Sequence, residues 1–272
     1  MYSNTTGEFN SAFGQSALIN NTTGNKNTAV GYWAARLNTT AHGATAVGYQ
    51  ALYSNVTGTQ NCAVGYDAAY SHTAGDATAI GYGAMNSNTT GEANTCVGNM
   101  AGAALTTGGN NTFIGNRADQ TATTASQCIV IGSWAELSSN TTSGEIVLGS
   151  TNNDDLRCNT QTISALSDAR DKTDIVDLPT GLDFINSLRP VKFKWDTRQG
   201  NIKDGSYAAG FLAQDLQVAE KAAASTDYTN LVSTKNLEKL EAKYGNLVPI
   251  LVQAVKELSA KVNTLENTLN NG

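Results

Sequence analysis

Charge is scarce in the first part of this 272-residue chain. Residues 1–166 carry four basic and nine acidic side chains, against thirteen and fourteen in residues 167–272. Proline is absent before residue 179, and the three prolines are Pro179, Pro190 and Pro249. The four cysteines, Cys62, Cys96, Cys128 and Cys158, stand singly with no CxxC pair. That spacing excludes a zinc knuckle or a small disulfide scaffold and leaves buried or half-buried free thiols. No run approaches the roughly 20 apolar residues of a membrane-spanning helix, and the N-terminus lacks the basic and apolar regions of a signal peptide. Neither part is basic, so composition gives no reason to expect a nucleic-acid partner, and no membrane insertion, metal or cofactor is expected. The net charge of −6 bears on solubility alone.

What the first part has is repetition. Glycines recur at 14, 31, 48, 65, 81, 98, 115, 132 and 149, a step of 17 residues taken once as 16. Around them the text returns as TAVGYWAARLNTT, TAVGYQALYSNVTG, CAVGYDAAYSHTAG, TAIGYGAMNSNTTG, TCVGNMAG, TFIGNRAD, IVIGSWAEL and IVLGS. Each unit has a short apolar strand ending at glycine (Ala46-Val47, Ala79-Ile80, Phe113-Ile114, Val130-Ile131). A turn of Asn, Thr and Gly follows, residues that accept or supply positive φ. Helix is excluded by the density of Gly and β-branched residues and by the missing 3.6-residue period. Seventeen residues suffice for one solenoid coil, read here as two short strands and two turns. One coil cannot bury its apolar face and stacked coils can, with Thr and Asn forming ladders between them. The apolar content per coil is low, so the shaft is expected to stand as an oligomer, three chains sharing an axis.

The repeat resembles the head repeats of trimeric autotransporter adhesins and the shaft repeats of phage tail fibres, over about residues 2–150. Tyr2-Ser3-Asn4-Thr5-Thr6-Gly7 reads as the middle of a repeat rather than a cap, so the chain is expected to be the distal part of a longer fibre. Asn-x-Thr triplets at Asn4, Asn20, Asn21, Asn38, Asn55, Asn88 and Asn140 fit glycosylation, but their place in the repeat favours turn chemistry. His42 and His72 read as surface residues of the same loops. Asp67, Asp76 and Glu92 read as solvated loop acids, not as the facing carboxylates of a glycosidase.

From about Asn152 the repeat dissolves. The sequence divides as a solenoid over 1–151, a connector over 152–166 and a mixed α+β region over 167–272. In the last, a helix is expected near 180–188 and a half-buried strand at 191–196, where Val191, Phe193 and Trp195 alternate with Lys192, Lys194 and Asp196. A second strand is expected at Tyr207–Ala213, and helices at about 214–224 and 231–244. Val248, Leu251, Val255, Leu258, Val262, Leu265 and Leu269 step by 3 and 4. That is an a/d seam, so the chain is expected to end in a coiled coil, trimeric like the shaft. Pro249 falls in the first turn, where proline is tolerated.

Ser167 and Lys172 flank Asp168 and Arg170 at the start of this region. A serine is a nucleophile only when a base takes its proton, and lysine is a base only when desolvation or nearby cations keep it neutral. Five residues apart, the pair would meet through a turn rather than along a helix face. Ser167-Asp-Ala-Arg-Asp-Lys-Thr-Asp-Ile175, then GLDFINSLRPVKFKW, AAGFLAQDL and YGNLVPILVQAVKELSAKVNTLENTL, resemble the autocleaving intramolecular chaperone domain that closes phage tail spikes and fibres. The resemblance covers essentially all of 167–272, with a departure at 214–240. It implies Ser167 as nucleophile, Lys172 as its base, Asp168 and Arg170 as motif residues, and cleavage between Leu166 and Ser167. It further implies a homotrimer assembled in the host cytoplasm and residing in the virion tail, whose mature part meets a host-surface receptor, a glycan or a protein. The alternatives are a bacterial trimeric adhesin and a depolymerase tail spike with its catalytic region upstream.

Overall fold

The computed structural model describes residues 2–153, 167–196 and 205–271. The chain forms two compact units, Met1–Asn153 and Asp154–Gly272. The first is a β-solenoid with one three-residue strand per coil: β1 (Ser11–Phe13), β2 (Thr28–Val30), β3 (Thr45–Val47), β4 (Cys62–Val64), β5 (Thr78–Ile80), β6 (Thr95–Val97), β7 (Thr112–Ile114), β8 (Ile129–Ile131) and β9 (Ile146–Leu148). They pair in sequence order as one parallel nine-stranded sheet. The register puts equivalent repeat residues opposite each other, as in Thr28↔Thr45 and Val30↔Val47.

The expected second strand of each coil does not form. The chain turns through three left-handed corners instead, as at Lys26 (φ 59°), Trp33 (φ 61°) and Ala35 (φ 47°). A non-glycine residue there costs roughly 1–2 kcal/mol. Neighbouring coils offset that cost, because each corner N–H reaches one of their carbonyls: Lys26 to Glu8 at 2.9 Å, Trp33 to Gln15 at 3.0 Å and Ala35 to Ala51 at 2.9 Å. So many corners leave no extended run long enough for another strand.

The core is thin and made largely of alanine. Ala29, Ala46, Ala63 and Ala79 are the buried centres of their strands, and Cys96, Phe113 and Val130 take the same place further on. Phe113 is accommodated because Gly102 stands beside it, with no Cβ to meet its ring. Two rows of asparagine close the coil edges. Asn27 Oδ1 accepts from Ala44 N at 2.9 Å while its Nδ2 donates to the Ala41 carbonyl at 2.8 Å, and Asn111 does the same for Cys128 N and Ala125 O. In the other row Asn21, Asn38, Asn55 and Asn88 are buried, which leaves those triplets to turn chemistry rather than glycosylation. Thr22, Thr89 and Thr106 add hydroxyl bonds to the carbonyl 17 residues on.

His72 corrects the sequence reading. It is fully buried, not on the surface, because it replaces the asparagine of this second row in the coil whose glycine step is 16. Its Nδ1 lies 2.8 Å from Asn88 Oδ1. His42 is exposed as expected. Among the acids, Asp76 and Glu92 are exposed, but Asp67 is half-buried and Asp119 is wholly buried at a left-handed corner held in other coils by Leu18, Ala35, Leu52, Ala69, Met85 or Gly102. Cys96 and Cys128 are buried and Cys62 half-buried, all free; Cys158 lies outside the described residues.

In the second unit, α1 (Leu182–Ser187) leads into an antiparallel pair, β10 (Val191–Lys194) with β11 (Tyr207–Gly210). Then come α2 (Ala213–Ala222) and α3 (Thr226–Thr229), a second pair, β12 (Val232–Ser233) with β13 (Glu241–Ala242), and the 24-residue α4 (Leu247–Asn270). The helix expected over 231–244 is therefore a hairpin. Asn230 takes a left-handed conformation (φ 44°, ψ 48°) that ends α3, and Leu231 and Val232 insert into the core as extended chain. Phe184, Leu216, Leu231, Val232, Leu247 and Ile250 make that core. Glu220, buried among them, accepts from Thr229 Oγ1 at 2.6 Å and from Leu231 N at 2.5 Å.

Two predictions follow from the solenoid. At Gly65 (φ +141°) a Cβ would overlap the Gly81 carbonyl, whereas at Gly43 (φ +69°) the nearest atom is 4.0 Å away. Gly43→Ala should cost about 1 kcal/mol by urea unfolding, and Gly65→Ala about 3 kcal/mol or more, since strain and overlap add. The second concerns pH. Burial lowers the His72 imidazole from its ordinary 6.5, so the unfolded chain takes up the proton first and the shaft loses stability as pH falls below that value. Exposed Glu92 nearby opposes this only in part. Burial pushes Asp119 up to about 6 from 3.8, so its contribution is full below the lower value and lost as pH rises through the upper one. Asp119→Asn should therefore stabilise the shaft at pH 8 by on the order of 3 kcal/mol and change little near pH 4. His72→Asn should flatten the loss of stability that sets in below pH 6.5. Thermal melts from about pH 4 to pH 8 read both.

Candidate cleavage site

Ser167 and Lys172 are brought together by a single turn. Asp168, in extended backbone (φ −70°, ψ 133°), caps the 3₁₀ turn Ala169–Asp171 by accepting from Arg170 N at 2.9 Å. Two backbone bonds tighten it, from Asp171 N to the Asp168 carbonyl and from Lys172 N to the Ala169 carbonyl, both at 3.2 Å. The lysine stem then runs back over the turn. Lys172 Nζ donates to Ser167 Oγ at 2.6 Å and lies 3.3 Å from the Ser167 carbonyl oxygen. The turn is only three residues long and is flanked by extended backbone at Asp168 and Lys172, so the long lysine side chain folds back to a serine that a continuous helix would place on another face.

Asp168 and Arg170 form a second pair on the same turn. The guanidinium donates through Nε to both carboxylate oxygens at 3.1 Å and through Nη2 at 2.6 Å. The Arg170 side chain and then its backbone N–H hold the Asp168 carboxyl below its usual range, while Asp168 raises Arg170. Both side chains are exposed, so this pair contributes little stability and acts as a local brace. Leu166, the residue before the serine, lies outside the described residues.

A serine hydroxyl held against an amine can attack a carbonyl once the amine is neutral and takes the hydroxyl proton. The feature a lysine base needs, removal from water, is missing from the single chain, where Ser167 and Lys172 are both exposed. Two contacts that support the surrounding unit carry no sequence signal. Glu257 on α4 accepts the first N–H of α1, from Leu182, at 2.8 Å, and Arg189 approaches Asp215 at 3.6 Å. Each partner lies far away in sequence or in another element, so no local pattern announces it. Among the described residues no group of three or more His, Cys, Asp or Glu could hold a metal ion, and no helix is long and apolar enough to cross a membrane.

Residues 167–225 match the Peptidase_S74 family, described as the chaperone of endosialidase. The match begins at Ser167 and ends just before α3. The solenoid and this domain together fit a tail-fibre protein with a C-terminal chaperone. Neither the curated proteins nor the solved structures contain a match to this chain.

Proposed function

We propose that residues 167–272 assemble three copies of the chain, guide the solenoids into register and then cut themselves off between Leu166 and Ser167. The released shaft serves attachment to a host surface, as part of a phage tail. The observation that carries this reading is the 2.6 Å contact of Ser167 Oγ with Lys172 Nζ at the first residue of the family match. With Lys172 neutral, its amine takes the Ser167 hydroxyl proton as Oγ bonds to the Leu166 carbonyl carbon. The Leu166–Ser167 C–N bond breaks, the proton passes to the departing Ser167 amine, and an ester remains between Leu166 and Oγ. Water then hydrolyses that ester to a Leu166 carboxylate and the restored serine hydroxyl. The nucleophile is now the first residue of the released piece, so the site works once.

Association is supported by α4. Its Leu247, Ile250 and Ala254 are buried within the unit, whereas Val248, Leu251, Val255, Leu258, Val262, Leu265 and Leu269 are all exposed in a single chain. A seam of that length in water is a surface for other copies of the same helix. The solenoid likewise leaves Val30, Ile80, Ile114, Ile131 and Leu148 exposed along one strand edge. The seam argues for association; the number three comes from the resemblance. Assembly would also remove the Ser167–Lys172 pair from water, so that cutting waits for the trimer.

Intact-mass measurement of purified protein tests the cut. A fragment beginning at Ser167 is expected from the natural chain and from neither Ser167→Ala nor Lys172→Ala. Uncut natural chains after assembly, or normal cutting by Lys172→Ala, would overturn the dyad. Sedimentation of Ser167→Ala tests assembly: three times the 28.4 kDa chain mass is expected. Leu258→Asp should reduce this to one and abolish cutting in a chain that retains Ser167. Expression of residues 1–166 alone should give insoluble shaft; soluble trimers would remove the need for a chaperone.

A further inference from the structure

One feature of the solenoid does not run its length. The residue after the glycine is Tyr in four successive coils, Tyr32, Tyr49, Tyr66 and Tyr82, and Gln15, Asn99, Asn116, Ser133 or Ser150 elsewhere. The four rings stack along the shaft with centroids 5.4, 4.8 and 5.3 Å apart and planes within 13° of parallel. A second, shorter row runs beside them, Tyr53 on Tyr70 at 5.1 Å. Trp33 joins the rows, 4.5 Å from Tyr32 and 5.8 Å from Tyr53. Arg36 lies over Trp33 at 4.8 Å and donates to Tyr53 Oη at 2.7 Å. In the next two coils the Trp33 position between the rows is held by half-buried Gln50 and Asp67.

We propose that this aromatic panel binds a linear surface polysaccharide laid along the shaft. The inference rests on the attachment reading and names its ligand class. Each ring covers its neighbour's face, so the row presents ring edges and a comb of hydroxyls at the coil pitch. A sugar chain presents C–H faces and hydroxyls once per residue along its own length, and an extended chain can keep pace with the comb. A tyrosine phenol is protonated at neutral pH and able to donate, and slight desolvation, Asp67 and the flanking tyrosines raise Tyr66 further. Gln50, Asp67 and Arg36 supply further polar groups among the rings, the mixture of apolar ring edges and a few placed polar groups that small-molecule sites use.

Confinement to four coils argues for such a ligand over a second copy of the chain. A contact between copies would repeat with the coil, as the Val and Ile row does over the whole sheet. The tyrosines stop while the repeat goes on, so they answer to something local. Tyr82, at the end of the row, is 54% exposed and is the most open ring of the four.

The test is binding of the full chain to an array of defined linear oligosaccharides that includes the extended cellohexaose and chitohexaose and the coiled maltohexaose. Binding to at least one extended chain and not to maltohexaose is expected. Tyr66→Ala should weaken it at least tenfold and Tyr66→Phe by less, with unchanged oligomer mass. Tyr82→Ala provides a variant at the open end, where loss of folding is least expected. No binding to any extended glycan, or equal binding by Tyr49→Ala/Tyr66→Ala, overturns the site. So does dissociation of the oligomer in that variant, which would assign the rings to a contact between copies. Adsorption of the same proteins to bacterial cells separates the two readings. Cells bound equally by the natural chain and the double variant leave attachment standing and remove the site; adsorption to no cell, with glycan binding intact, removes attachment and leaves the site.

Discussion

The contact on which the shaft depends is backbone against backbone at the glycine row. Gly31, Gly48, Gly65 and Gly81 follow one another so closely that each faces the carbonyl of the next, with no room for a Cβ. That approach lets three-residue strands pair in strict register and lets small side chains fill the interior. An alanine core buries little apolar surface per coil, so hydrophobic burial alone would be a weak support. The remainder comes from direction-specific bonds. Asparagine amides join adjacent coils, threonine hydroxyls reach the next carbonyl, and corner N–H groups find partners across the coil boundary. The strained left-handed corners persist because each is fixed from a neighbouring coil.

Stability of this kind is a sum of nearest-neighbour terms. Within one chain each coil is held by the coils beside it. The same regularity creates a difficulty for several chains folding side by side, since a shift by one whole coil exchanges equivalent residues. A domain with a non-repeating fold removes that degeneracy because it has only one way to associate. The second unit has the parts for this: a core of Phe184, Leu216 and Ile250, a helix tied down by Glu257, and an apolar seam left open on α4. Its Ser167–Lys172 turn is already closed in one chain but stands in water. Local sequence is enough to make the contact.

Most of the shaft was legible in the sequence because it is built from local rules applied repeatedly. The 17-residue step gives the coil, glycine marks the close approach, and Asn-Thr-Thr-Gly marks the turn. The a/d steps from Val248 to Leu269 gave α4, and the helix near 180–188 and the strand from 191 were found close to where they lie. The failures have physical causes. His72 reads as a loop histidine because its turn is one residue short of the pattern, yet the row it occupies runs through the interior. Asp67 reads as a solvated loop acid, but its repeat position is a half-buried left-handed corner. The segment 231–244 has helix-forming Lys, Glu and Leu, yet Leu231 and Val232 are worth more in the core as an extended chain than on a short helix.

The sequence alone therefore determined whatever repeats or is closed by a few adjacent residues: the solenoid, its register, the seam of α4 and the five-residue reach from Ser167 to Lys172. Such features depend on near neighbours, and near neighbours are visible in a linear text. The tertiary structure decided which positions of the repeat face inward, that each coil carries one strand, and that Glu220 and Glu257 join elements distant in the chain. It also decided that the tyrosines line up as a panel. Those outcomes turn on the path of the coil in space and on contacts across it, and no stretch of sequence records them.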